Sequence, residues 1–182
     1  FGMLLLLLQP AGFMSVIAVS AALTVEIYGN SGEAYGLIFA CAGLSILAGS
    51  MINRVLVMRF DQLQMITLGI ALMFAASAQL AIIAWLGSAP FWWLWSSVCL
   101  FMFTVAILMS NAMVVALDPL PRIAGVASSI VGTLQNLAGA GGALLAAFIY
   151  NGTVSNAVII MAGAGLLTSL IFLLRPIIAP GP

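Results

Sequence analysis

The chain has 182 residues, of which 65% are hydrophobic and only 4% are charged, with four arginines against four acids and no Lys or His. Soluble domains are about 25% charged, so this composition excludes a water-soluble protein. It also excludes a basic surface for nucleic acid, an imidazole base and a histidine metal site. The sequence therefore predicts an integral membrane protein whose principal partner is the lipid bilayer, and nothing in it indicates a cofactor.

Six apolar segments follow one another along the chain, each long enough for a transmembrane helix. A helix rises about 1.5 Å per residue and needs about 20 residues to cross a hydrocarbon core of ~30 Å. No segment shows the alternation of β-barrel strands. We predict an all-α membrane protein, a six-transmembrane-helix bundle forming one domain over residues 1–182. The predicted spans are 4–25, 35–57, 63–86, 91–117, 119–150 and 157–174.

Turn-forming residues separate these spans, chiefly at 29–32, 87–90 and 151–153. Between spans four and five, Asp118-Pro119 is typical of a helix N-cap followed by proline at the first helical position. We therefore predict that span five begins in water and enters the membrane after Arg122.

The arginines orient the bundle, because they all follow even-numbered spans. Arg54 and Arg59 follow span two, Arg122 follows span four and Arg175 follows span six. By the positive-inside rule, both chain ends face the cytoplasm. Because Phe1 is not an initiator Met, the chain is expected to continue upstream. Four tryptophans surround the loop after span three, where an outer interfacial belt is expected: Trp85, Trp92, Trp93 and Trp95.

The ionisable residues do not predict an enzyme. No acid lies deep in a span, and Glu26, the nearest, is best interpreted as an interfacial carboxylate in contact with water. Without His there is no Ser/His/Asp or Cys/His set, and without Lys there is no Walker-type phosphate loop. Enzyme chemistry and an ATP-driven pump within this chain alone are therefore not expected.

Neutral polar residues repeat at helical spacing in spans four and five. In span four a Ser, a Thr and an Asn recur every seven residues, and in span five a Ser and a Gln repeat that interval with an Asn beside them. Such stripes either line a polar cavity or hydrogen-bond between packed helices. Packing is favoured for Ser and Thr, which can bond their own backbone, and a cavity for the amides, which are costly to leave unpaired. The candidate substrate-cavity residues are Ser97, Thr104, Asn111, Ser128, Gln135 and Asn136.

Three stretches, at residues 26–40, 49–61 and 111–135, carry a resemblance to a known family. The second includes Gly49 to Arg54 followed by Arg59-Phe60-Asp61, and the third includes the run from Ala116 to Ser129. Together they resemble the carboxyl-terminal half of a major facilitator superfamily transporter, and more closely its Bcr/CflA branch of drug:proton antiporters. The second stretch resembles the superfamily's cytoplasmic Gly-x-x-x-Asp-Arg motif, with Asn53 in place of the acid.

The resemblance implies that spans one to six stand for helices seven to twelve, half of a fold built from nested 3+3 inverted repeats. It implies that spans one, two, four and five face a central cavity, with three and six at the periphery. It also implies that the acids used for proton coupling lie in the other half. A cytoplasmic gating motif would comprise Gly49, Asn53, Arg54, Arg59, Asp118 and Arg122.

The expected function is that of the second half of a secondary active transporter, for multidrug or small-molecule efflux, in a bacterial inner membrane. Its partners would be a missing amino-terminal six-helix half and a small amphipathic substrate. Two alternatives remain open: a half-transporter that acts as a homodimer with a second copy, and a transporter-derived subunit that packs in a larger membrane complex and transports nothing.

Overall fold

The computed structural model describes residues 2–119 and 121–174, and its regular structure is helical throughout that part of the chain. Six helices are long and apolar enough to cross a membrane. The predicted all-α, six-helix membrane bundle is therefore confirmed. The α-helices are α1 Gly2–Ala22, α2 Gly32–Leu56, α3 Gln62–Leu86, α4 Phe91–Leu117, α5 Ala124–Ile149 and α6 Val154–Leu173. A π-helical turn, Leu23–Ile27, continues α1, and a 3₁₀ turn, Pro121–Ile123, precedes α5.

Local side-chain chemistry sets several helix ends. Asp61 caps α3 by accepting a hydrogen bond from the Gln64 N–H (2.8 Å), and the Gln64 Oε1 accepts one from the Asp61 N–H (3.1 Å). At the other end, Gly87 adopts a left-handed conformation with φ 76°, which a side chain would strain. These ends hold α3 to the length of one membrane crossing.

The predicted role of Asp118 as the N-cap of span five is wrong. Asp118 has helical backbone angles and ends α4, where its N–H donates to the Val114 carbonyl (2.9 Å). Pro119 has no N–H to continue that ladder, so the Asp-Pro pair stops α4 instead of starting α5. Helix α5 begins at Ala124, and its N-cap, Ile123, makes no side-chain cap.

The helices pack in two layers. In the front layer the order is α2, α4, α1, α5, and in the back layer α3 and α6 pack against each other behind α4 and α1. The edge helices of the front layer have little cover within the chain. Only 11% of the apolar stretch of α2 and 22% of that of α5 are buried, against 44% to 50% for the other four.

Glycines allow the front layer to pack closely. A Cβ at Gly142 of α5 would overlap the Ala11 carbonyl of α1, and one at Gly49 of α2 would overlap the Phe103 carbonyl of α4. Lipid tails are as apolar as the helix surfaces, so helices in a bilayer associate through close packing and interhelical hydrogen bonds. The two crossings therefore depend on the missing side chains of these glycines.

We expect Gly142→Ala to destabilise the bundle, because its methyl group would have to displace the α1 backbone. Overpacking of this kind costs about 1–3 kcal/mol. The free energy of unfolding, measured in mixed micelles, should fall by that amount.

The neighbouring Gly141→Ala is the matched control, since a Cβ there meets nothing within 4 Å. It should leave stability unchanged or slightly raised, as Ala favours helix over Gly. Equal losses in the two variants would contradict the close crossing.

Candidate functional site

The predicted stripe on α4 points into the bundle. Ser97, Thr104 and Asn111 are all buried. The Ser97 hydroxyl donates to the Trp93 carbonyl (2.9 Å) and lies 3.3 Å from the Gln79 Oε1 of α3, while the Thr104 hydroxyl donates to the carbonyl one turn before it (2.7 Å). This placement favours the packing alternative for these three residues, and their contact with a substrate stays a prediction.

Asn111 links the predicted substrate-cavity residues to the predicted gating motif, which the sequence indicated as separate groups. Its Nδ2 donates to the Asn53 Oδ1 of α2 (2.7 Å) and to the Ile107 carbonyl (2.8 Å), and both asparagines are buried. Gly49, one turn before Asn53, forms the close contact with Phe103. A predicted cavity residue therefore belongs with the predicted gating motif, in a contact between α2 and α4. Sequence reasoning missed this pair, although two amides near the carboxyl-terminal ends of their spans were a usable signal.

The amides of α5 lie in a different environment. Gln135 is half-buried and Asn136 is exposed, and both line a cavity of about 370 Å³ among α1, α4 and α5. Ser128 lies outside this cavity and donates to the Gly125 carbonyl (2.9 Å). The structure thus brings two of the six predicted cavity residues together. The lining consists of Pro10, Phe13, Met14, Met109, Gln135, Asn136, Gly139, Ala140 and Ala143.

The amide of Gln135 is incompletely paired. Its Nε2 is buried and has no hydrogen-bond partner among the described residues. Apart from the exposed amide of Asn136, the rest of the described lining is apolar or polarisable, including Phe13, Met14 and Met109. A concave, mostly apolar site with a few polar groups is the usual form of a small-molecule site.

A larger groove of about 550 Å³ lies among the amino-terminal ends of α1 and α5 and the carboxyl-terminal end of α4. The side chains of its described lining, which include Met3, Val115, Ile123 and Val126, are all apolar. The groove offers no side chain to orient a polar ligand. The cavity lined by Gln135 and Asn136 is therefore the better candidate site, although it is smaller.

The charged residues of the predicted gating motif lie on the surface. Arg54, Arg59, Asp118 and Arg122 are exposed, and in the described part of the chain no arginine forms an ion pair. Arg175 lies outside the described residues. The gating role of the motif therefore stays a prediction, as does the orientation that the arginines indicate.

Aromatic side chains link neighbouring helices at the end of the bundle that carries the α1–α2 and α3–α4 loops. The Tyr28 hydroxyl donates to the Ala89 carbonyl (2.9 Å), and burial raises its pKa above the usual 10.0. Burial also raises the pKa of Tyr150, with a smaller contribution from the charge of Glu26. Glu26 itself is exposed, in agreement with an interfacial carboxylate.

The four tryptophans divide into two pairs. Trp85 and Trp92 are exposed on either side of the loop between α3 and α4, as an interfacial belt requires. Trp93 and Trp95 turn inward, and their indole N–H groups donate to the Gln79 Oε1 (3.2 Å) and the Ile38 carbonyl (2.9 Å). Only the first pair therefore has the exposure predicted for the belt.

Residues 2–119 and 121–174 contain no group of three or more His, Cys, Asp or Glu side chains that could hold a metal ion. The two cysteines differ in environment: Cys99 is half-buried, whereas Cys41 is exposed on α2, which has little cover within the chain.

We expect a measurable coupling between Asn53 and Asn111. Hydrogen bonds between helices in membranes contribute about 0.6 kcal/mol on average and up to about 1.7 kcal/mol. A double-mutant cycle of Asn53→Ala and Asn111→Ala, read from unfolding in mixed micelles, should give a coupling energy in that range. The cycle of Asn53→Ala with Ser110→Ala is the control, since Ser110 bonds its own helix. A coupling near zero in the first cycle would refute the bond.

Gln9 of α1 gives a second prediction, because it is fully buried and neither atom of its amide has a partner among the described residues. Leaving such a group unpaired costs about 1–3 kcal/mol, so Gln9→Met should raise the free energy of unfolding by about that amount. Gln79→Met is the matched control: Gln79 accepts from Trp93 and donates to Ala75, so its loss should destabilise. A loss of stability in Gln9→Met would show that the amide is paired.

Comparison with known proteins gives a distant relative. Over 129 residues, 71% of its length, the chain is 26% identical to a bicyclomycin resistance protein homolog of Haemophilus influenzae. The matched stretch spans 32% of that protein. No family model and no solved structure matches the chain. The distant similarity to a drug-resistance protein and the six-span helical bundle together fit a transporter-like role for an integral membrane protein.

Proposed function

We propose that this chain forms one six-helix half of a secondary transporter for small amphipathic molecules. The cavity lined by Gln135 and Asn136 would be part of the wall of an alternating-access site. The observation that carries this proposal is that exposed polar side chains and a cavity with two amides occur on the front layer, whose edge helices lack cover.

One exposed polar side chain of the front layer is unsuited to lipid. The Asn136 amide, near the middle of α5, is exposed and makes no hydrogen bond in the described part of the chain, whereas the exposed hydroxyls of Thr133 and Ser110 bond carbonyls of their own helices. Polar residues within a span normally face the bundle interior or a water-filled cavity, because hydrocarbon offers them no hydrogen bonds. A second six-helix unit facing this layer would supply both a protein surface and a water-filled space.

The distant relative is named for resistance to bicyclomycin, which supports efflux of small molecules as the direction and class of transport. Proton coupling would require an acid within the membrane. The described acids Glu26, Glu33, Asp61 and Asp118 lie outside the spans or at their ends, so the coupling acid belongs to the other half. A bacterial inner membrane with both chain ends in the cytoplasm completes the proposal.

The test is transport by the intact protein that contains this chain. Gln135→Leu and Asn136→Leu should lower the transport rate at least about tenfold while the melting temperature in detergent stays the same, because both side chains line the cavity. Leu137→Met is the control, since Leu137 is 64% exposed and lies outside the cavity lining. Full transport by both leucine variants would contradict the proposed site.

Proteoliposomes that contain the 182-residue chain alone separate this proposal from its alternatives. One half should transport nothing, whereas transport by a crosslinkable dimer would establish the homodimer. If the intact protein transports nothing and purifies only with other membrane subunits, the chain is a structural subunit instead.

A further inference from the structure

We propose that the cavity wall formed by α1, α4 and α5 binds the uncharged form of an amphipathic substrate, through a hydrogen bond between the Gln135 amide and an acceptor atom of the substrate. The inference rests on the proposed function and specifies the substrate class of the same site.

The first step concerns charge. None of the described residues that line the cavity is ionisable. A cation placed there would lose hydration and gain no counter-charge from this wall, and isolated charges in a low-dielectric site are strongly disfavoured. The wall therefore favours neutral molecules over permanent cations.

The second step concerns hydrogen bonding. The hydroxyl groups of α5 are satisfied by their own helix: for example, the hydroxyl of Ser129 donates to the Gly125 carbonyl (3.0 Å), and that of Thr133 donates to the Ser129 carbonyl (3.0 Å). Gln135 differs, since its Nε2 has no partner in the described part of the chain. Rotation of the amide about its last side-chain bond exchanges Oε1 and Nε2. The amide can thus direct its N–H groups at an acceptor bound in the cavity.

The third step concerns shape. Beside the two amides, the described lining includes the ring of Phe13, the thioethers of Met14 and Met109, and the small residues Gly139 and Ala143. Thioethers are flexible and polarisable and pack favourably against aromatic rings. A cavity of about 370 Å³ accommodates a compact one- or two-ring molecule, with the hydrogen bond at Gln135 fixing its orientation.

The experiment uses two probes that differ by one methyl group and one charge. 4-Phenylpyridine has a ring nitrogen that accepts a hydrogen bond, whereas N-methyl-4-phenylpyridinium has a permanent charge and no acceptor. Binding to the intact protein in nanodiscs is measured by calorimetry at mildly alkaline pH, where the pyridine is unprotonated.

Gln135→Met removes the donor at similar volume, so it should weaken binding of 4-phenylpyridine about fivefold, the effect of one hydrogen bond, without weakening binding of the pyridinium. Gln135→Glu supplies a counter-charge and should strengthen pyridinium binding about tenfold while weakening that of the neutral probe. Thr133→Val is the control, because Thr133 lies outside the cavity lining, and it should change neither affinity.

Equal effects of Gln135→Met on both probes, no gain of pyridinium affinity in Gln135→Glu, or no binding of 4-phenylpyridine would each overturn the inference. The transport assay with Gln135→Leu and Asn136→Leu tests the proposed function separately. If those variants lose transport while the charge preference fails, only the substrate class is wrong; if they keep full transport, the function assigned to the site is wrong as well.

Discussion

The close approach of α1 and α5 is the contact on which the rest of the bundle depends. At this crossing the backbone of Ala11 takes the place that a side chain at Gly142 would fill. Helix α1 also packs against α4 and α6, so it joins the two layers. Because lipid offers no hydrophobic gain for helix association, this contact derives its stability from van der Waals packing at short range.

The same turn of α1 also forms part of the candidate site. Pro10 lines the cavity and has no N–H to donate to the Leu6 carbonyl, and the buried amide of Gln9, which precedes it, has no partner within residues 2–119 and 121–174. The missing backbone hydrogen bond at Pro10 and the unpaired amide of Gln9 both lower the stability of α1, the helix on which the packing of the bundle depends. Departures from regular, fully hydrogen-bonded structure concentrate at functional sites, where proteins give up some stability for function.

The number, order and type of the helices were predictable from the sequence, because span length and turn residues are local properties. The buried face of each helix was not. In a soluble protein the buried face is the apolar one, but in a membrane both the protein interior and the lipid are apolar. The seven-residue repeat of Ser97, Thr104 and Asn111 correctly indicated a shared face, yet the same pattern suits a cavity and a packed interface equally well.

The candidate site was predictable to the same partial extent. Gln135 and Asn136 followed from the cost of unpaired amides in a membrane, whereas their neighbours Phe13, Met14 and Met109 come from other helices and carry no local signal. The pairing of Asn53 with Asn111 likewise depends on which helices are adjacent. The prediction that Asp118 caps span five failed for a different reason. An Asp-Pro pair is compatible with both the end of one helix and the start of the next.

Exposure has different meanings for apolar and for polar side chains of a membrane bundle, and one exposed amide supports the proposal that a second protein unit covers the front layer. The exposed side chains Phe74 of α3 and Leu167 and Leu170 of α6 are apolar and can contact lipid at no cost. On the front layer the exposed amide of Asn136 makes no hydrogen bond in the described part of the chain and hydrocarbon offers it none, whereas the exposed hydroxyl of Ser110 bonds its own helix. The cavity that Asn136 shares with Gln135 lies on the same layer, so the proposed second half would cover the side of the bundle where lipid leaves an amide unpaired.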